Sequence, residues 1–225
     1  MRRFTLALFT TLLALPLTGA GAQIIRGGRF GLRDPGTWVS ATFGWQEGWT
    51  VIDGSTKSRW DLGDTQQYGG AIEHAVAGGV TVGVRAVTSM PEVRFEDLNP
   101  PAFSGVVPPA TVFPAEARVT QALGVVHVTT GRQLRSVFEL GLGTNIYSPM
   151  RYQTTGATIS GSRTDTDFAF AFTYGLGYSF SRNVHVDVVQ DLATSVHQKT
   201  GLEAGEDRSA RIRSTRIVAR YGFGG

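Results

Sequence analysis

Ser179, His185 and Asp187 are the residues of this 225-residue chain whose types and spacing could carry covalent chemistry. A hydroxyl nucleophile, an imidazole base and an orienting carboxylate are the set that acyl transfer uses. The three flank Ser181-Arg182-Asn183, a short polar turn. Period-2 alternation puts His185 and Asp187 on one face of a strand, and a three-residue turn sets Ser179 across from His185. The same placement also suits a hydrogen-bonded cluster with no catalytic role.

Other candidates are weaker. His74 and His127 are read as outward-facing residues near a turn, and His197 opens a loop with no obvious partner. Asp61, Asp64, Asp165, Asp167, Glu203, Glu206 and Asp207 lie in or beside loops. Their spacing matches no calcium loop, so they read as solvated charge. Gly141-Leu142-Gly143 and Gly175-Leu176-Gly177 stand in mid-strand. A phosphate cradle needs its glycines between a strand and a helix, so close packing or sheet curvature is expected instead. There is no cysteine, which removes disulfides and thiolate metal sites.

These residues need elements to position them, and the clearest is Phe168–Phe180. Every even position in it is large and apolar or aromatic, and every odd position between is Ala, Thr, Gly or Ser. Such alternation is a strand with two unlike faces. The small face suits the inside of a narrow barrel, so the bulky face needs lipid as its solvent.

Met1-Arg2-Arg3 followed by an apolar run to Leu17 and by Ala20-Gly21-Ala22 reads as a secretory signal peptide over residues 1–22. A Gly/Arg-rich lead occupies 23–36, and the barrel takes 37–225. Loss of Arg2 and Arg3 from 21 basic residues leaves 19 against 18 acidic, which gives nucleic-acid binding little support. Eight alternating segments follow: Thr37–Glu47, Gln66–Val76, Val80–Met90, Glu116–Thr129, Leu134–Tyr147, Asp167–Phe180, Val184–Val196 and Ala210–Phe223. Their connections alternate between short turns and long polar loops, one of which, Pro91–Ala115, holds six of the nine prolines. That pattern predicts an all-β fold: an eight-stranded antiparallel up-and-down transmembrane barrel with short periplasmic turns and long extracellular loops.

The lumen is expected to hold a charge network of Glu73, Arg85, Glu139, Asp187, Arg216 and Arg220. An Arg on the lipid face near the midplane would cost about 2–4 kcal/mol. Such a lumen is filled rather than open. The aromatic girdle is expected from Trp45, Tyr68, Tyr147 and Phe168 outside and Tyr178, Phe180, Tyr221 and Phe223 on the periplasmic side.

The signal peptide, the eight strands, the loop alternation and the closing Arg216-Ile-Val-Ala-Arg-Tyr-Gly-Phe223 resemble the small eight-stranded outer-membrane β-barrels. Two positions depart from that family's terminal signal: Gly224 and Gly225 follow Phe223, and Val218 stands where glycine is frequent. The resemblance implies outer-membrane location, contact with outer-membrane lipids and lipopolysaccharide, and recognition of the last strand by the barrel assembly machinery. No periplasmic peptidoglycan-binding domain is expected. The function it implies is structural or interactive at the cell surface, with an extracellular partner met through the loops. No cofactor, metal or nucleic acid is expected. Some barrels of this kind are lipid A deacylases or palmitoyltransferases, but their catalytic residues face the outer leaflet, whereas Ser179, His185 and Asp187 fall at the periplasmic end. A lipid A-modifying enzyme and a soluble lipocalin-like binder are the alternatives. The latter requires the bulky face of Phe168–Phe180 to point inward.

Overall fold

The computed structural model describes residues 35–53, 57–97, 111–159, 162–197 and 209–224. The expected signal peptide and nearly all of the lead lie outside the described residues, as do Glu203, Glu206 and Asp207. The described chain forms β1 (Thr37–Gln46), β2 (Trp49–Asp53), β3 (Ser58–Leu62), β4 (Thr65–Ala77), β5 (Val80–Ser89), β6 (Glu92–Asp97), β7 (Thr111–Glu116), β8 (Val119–Gly131), β9 (Leu134–Tyr147), β10 (Arg151–Tyr152), β11 (Asp165–Ser179), β12 (Val184–Val196) and β13 (Ser209–Phe223).

Eight of these close into an antiparallel barrel in the order β1-β13-β12-β11-β9-β8-β5-β4, with β4 returning to β1. They correspond to the eight segments read from alternation. Closure satisfies every ladder without leaving an edge, which is the condition for spanning lipid with strands. The barrel strands have ten to fifteen residues, matching the 9–11 that a tilted span needs.

The exterior is apolar. Phe168, Phe170, Phe172, Leu176, Tyr178 and Phe180 are all exposed, and between them Ala169, Ala171 and Thr173 are buried. Across the ladder, Leu140 and Leu142 of β9 lie beside Phe172 and Phe170 and are themselves more than 60% exposed. Water would not tolerate so wide an apolar belt on a monomer, whereas bilayer lipid requires it. The bulky face of β11 therefore points outward, which rules out the inward-facing arrangement that a lipocalin-like pocket needs.

Short turns gather at the end that also holds Thr37 and Phe223. In the β4–β5 turn Gly79 adopts φ 75°, a conformation that side-chain-bearing residues avoid. In the β11–β12 turn the Ser181 hydroxyl accepts from the amides of Asn183 (3.2 Å) and Val184 (3.1 Å).

The opposite, extracellular end differs from the expectation of plain polar loops. A second sheet, ordered β10-β7-β6-β3-β2, stands there. Its order repeats that of the wall below it, β9-β8-β5-β4-β1, so five of the eight barrel strands resume beyond the rim. The interruptions are local: Glu47-Gly48, Gly63-Asp64, Met90-Pro91, Ala117-Arg118 and Ser148-Pro149-Met150. At the first two the inward parity switches. Thr42 and Gln46 are buried in β1, but Trp49 and Val51 in β2; Trp60 and Leu62 are buried in β3, but Gln67 and Glu73 in β4. The Gly48 amide donates to Asp64 Oδ1 at 2.7 Å, and the Gly63 amide to the Glu92 carbonyl at 2.8 Å, which pins this shift. The inner face of the second sheet joins the apolar upper lumen: Trp49, Trp60, Val93 and Met150 pack in one cluster with Leu123, Ala169, Ala193 and Ile212.

Candidate functional site

Below that apolar layer the lumen is charged. Glu73, Arg85, Glu139, Asp187, Arg216 and Arg220 are all buried inside the barrel. Arg85 of β5 donates to Glu139 of β9 at 2.6 Å, lies 3.3 Å from Asp191 of β12 and donates to Gln121 of β8 at 3.2 Å. Arg216 of β13 donates from Nη2 to Asp191 Oδ1 at 2.9 Å. Thr173 of β11 also donates to Asp191. Arg220 of β13 donates to Glu73 of β4 at 2.7 Å and contacts His127, whose other ring nitrogen lies 3.3 Å from Glu139. A separate pair joins Arg135 of β9 to Asp187 of β12 at 2.7 Å. Trp38 of β1 stacks under the Arg220 guanidinium, 5.4 Å from its centroid, so every barrel strand contributes to the plug.

Charge matching explains why these groups tolerate burial. Arg85, Arg135, Arg216 and Arg220 face Glu73, Glu139, Asp187 and Asp191. An unpaired charge here would cost several kcal/mol, so each partner keeps the other in place. The enclosed spaces among these side chains measure about 20 Å³, and those in the layer above about 10 Å³. That is room for about one water each, since a water needs roughly 10–15 Å³.

Three residues of this region were not singled out from the sequence. Arg135 and Asp191 stand on the inner parity of strands already recognised, so extending the face assignment along β9 and β12 would have found them, whereas Gln121 shares the parity of His127 on β8 and was missed with it. His127 corrects the sequence reading. It is buried in the lumen instead of facing lipid, because its ladder neighbours Thr81 and Glu139 both point inward. Both faces of β8 are apolar, so hydropathy gave its parity no anchor. Tyr147 is the second correction. It does not join the outer girdle: it is buried on the inner parity, with its ring against Trp60 and its hydroxyl 3.4 Å from Ser195. Trp45, Tyr68, Phe168, Tyr178, Phe180, Tyr221 and Phe223 lie exposed on the outside.

At the periplasmic end a cavity of about 520 Å³ opens between Trp38, Arg132, Arg135, Ser179, His185 and Arg220. Ser179 pairs across the ladder with His185, but the trio does not form a relay. The Ser179 hydroxyl donates to the Arg132 carbonyl at 3.1 Å, His185 stacks on Trp38 at 4.5 Å, and Asp187 is held by Arg135. Gly141, Gly143, Gly175 and Gly177 lie on the inner parity of β9 and β11, away from any helix.

At the extracellular end His197 and Asp167 depart from their sequence reading as an unpartnered loop residue and a solvated charge. Both are buried, with His197 Nδ1 2.5 Å from Asp167 Oδ1. The Ser195 hydroxyl donates to the other Asp167 oxygen at 3.0 Å. Asp61 and Asp64 stay at the surface.

No protein-family model matches the chain, and no curated protein is similar to it. Among solved structures, the outer membrane protein OprG from Pseudomonas aeruginosa is similar at 11% identity and TM-score 0.49, over 86% of this chain and 98% of that one. Neisserial surface protein A is similar at 12% identity and TM-score 0.48, over 85% and 100%. Ail, the attachment invasion locus protein of Yersinia pestis, is similar at 12% identity and TM-score 0.42, over 84% and 99%. The closed eight-strand ladder, the outward apolar belt and the charged, filled lumen give this chain the fold of the small eight-stranded outer-membrane β-barrels.

Proposed function

We propose that the protein is a closed, non-conducting barrel of the outer membrane that works as a structural or cell-surface interaction protein and not as an enzyme. Its exterior meets outer-membrane lipids and lipopolysaccharide. β13, with Tyr221 and Phe223 outward, is the strand offered to the assembly machinery. The observation that carries the reading is the second sheet. Five strands resume above the rim and present an outer face of Thr50, Arg59, Glu92, Arg94 and Glu116, which no purely structural plug requires. A rigid scaffold presenting polar residues outside the cell is the arrangement used for recognition.

The test compares cells displaying the full protein with cells in which residues 92–116 are replaced by a two-residue turn. The ladder between β5 and β8 stays intact, so the trimmed barrel keeps its heat-dependent gel shift. Adherence to protein- and polysaccharide-coated surfaces falls in the trimmed strain. Equal adherence of the two strains would sink the interaction role. A change in lipid A acylation on expression would favour the enzymatic alternative instead.

A further inference from the structure

We infer that Asp53, Asp165 and His197 form a binding site for a first-row divalent cation of the zinc type at the extracellular mouth. His197 Nε2 lies 3.6 Å from Asp165 Oδ2 and 3.9 Å from Asp53 Oδ2, and one ligand atom from each residue falls within 4.8 Å of the others. Zinc bound at about 2.0–2.1 Å in tetrahedral geometry places its ligands roughly 3.3 Å apart. The two His197 distances exceed that spacing by only about 0.3 and 0.6 Å, and the whole set stays within 4.8 Å, so the three groups need only draw inward to close on such an ion.

The imidazole is already oriented for the task. Asp167 holds Nδ1 at 2.5 Å, which leaves Nε2 directed at the two carboxylates. A carboxylate behind a metal-binding histidine fixes its tautomer and raises its basicity. Asp167 is in turn fixed by the Ser195 hydroxyl, and Trp60 packs edge-on against the His197 ring at 5.5 Å. One nitrogen and two carboxylate oxygens suit zinc better than magnesium or calcium, which take oxygen alone. Three protein ligands leave a fourth position for water, on the side where Asp165 is partly exposed.

The lumen contains a second constellation of similar composition, Glu73, His127 and Glu139. There the cation is already supplied: Arg220 reaches Glu73 and His127, and Arg85 reaches Glu139. At the mouth, the salt bridges of Asp165 and Asp167 among the described residues run only to His197. Asp53 ends β2, Asp165 begins β11 and His197 follows β12. A bound ion would thus staple the extracellular sheet to the barrel rim.

The experiment uses the full chain refolded in detergent micelles, stripped with chelator and titrated with Co²⁺, then Zn²⁺. The visible absorption of tetrahedral Co²⁺ is expected to saturate at one ion per chain and to be displaced by Zn²⁺. Asp165→Asn alters the least buried ligand, so the heat-dependent gel shift is retained while Co²⁺ affinity falls at least tenfold. Should that variant lack the shift, Asp53→Asn is read by the same criterion. Absence of the Co²⁺ band in the wild type, or an affinity unchanged by the substitution, overturns the assignment and leaves a histidine paired with carboxylates.

Discussion

Arg220 and Glu73 are 147 residues apart in the chain and 2.7 Å apart in the lumen. They belong to β13 and β4, the two neighbours of β1, so their ion pair bridges the seam where the last strand closes on the first. Both are buried, and Thr81 donates to the same Glu73 oxygen that Arg220 uses. Removing one partner strands the other as a buried charge, which costs about 3–5 kcal/mol. Glu73→Ala and Arg220→Ala are each expected to lower the urea midpoint of the refolded barrel by a corresponding amount. The double variant should cost less than the two singles together, because the second removal relieves the stranded charge. Strict additivity would show that the pair is not coupled.

Leu140 tests the direction in which the wall faces. It stands halfway along β9, exposed, between Val126 of β8 and Phe172 of β11. In a bilayer Leu140→Arg is expected to destabilise the barrel by about 2–4 kcal/mol, the cost of arginine near the midplane on a lipid-facing strand. Reversible unfolding from lipid vesicles measures it. A cost below about 0.5 kcal/mol, typical of a water-exposed substitution, would contradict lipid contact at this position.

How far the sequence could be read depends on the length of its alternations. β11 alternates over its whole span, and one misplaced residue would have buried a row of phenylalanines, so its register was legible. The inner charges followed from the same parity. β2 and β3 have only five residues each, too few for a period-2 signal to stand out from loop composition. Gly48 and Gly63 also switch the parity between each of them and its barrel strand, so Trp49 and Trp60 fall out of phase with the alternation beside them. The Asp167–His197 contact was hidden for a different reason: it joins two strand ends, and its geometry depends on the ladder between β11 and β12 and not on local spacing.

Gly175 marks a close approach of two strands. A Cβ placed there would lie 2.1 Å from the Val188 carbonyl oxygen and 2.7 Å from the Val189 Cα, both backbone atoms of the neighbouring strand. The backbone of β12 comes so close that only hydrogen fits on the inner side of Gly175. Gly175→Ala forces the two strands apart and is expected to cost about 1–3 kcal/mol, the range for an overpacked interior. Denaturant unfolding checks this. A neutral or stabilising effect would mean that the ladder relaxes there without loss.

Ser179 is expected to be chemically inert. An acyl-transfer serine needs its hydroxyl on a base that is itself oriented by a carboxylate. Here the hydroxyl donates to the Arg132 carbonyl, and the Asp187 carboxylate is engaged by Arg135, which reaches it over Gly177 of the intervening β11. His185 lies against Trp38 instead, with its ring 4.5 Å from the indole. A fluorophosphonate probe that phosphonylates activated serines with loss of fluoride is therefore expected to leave Ser179 unlabelled in the refolded protein. Ser179→Ala should change neither the gel shift nor the lipid A profile of cells expressing it. Covalent labelling at Ser179, abolished by His185→Ala in a barrel that still shows the gel shift, would mean that the trio assembles in solution and would reopen the enzymatic reading.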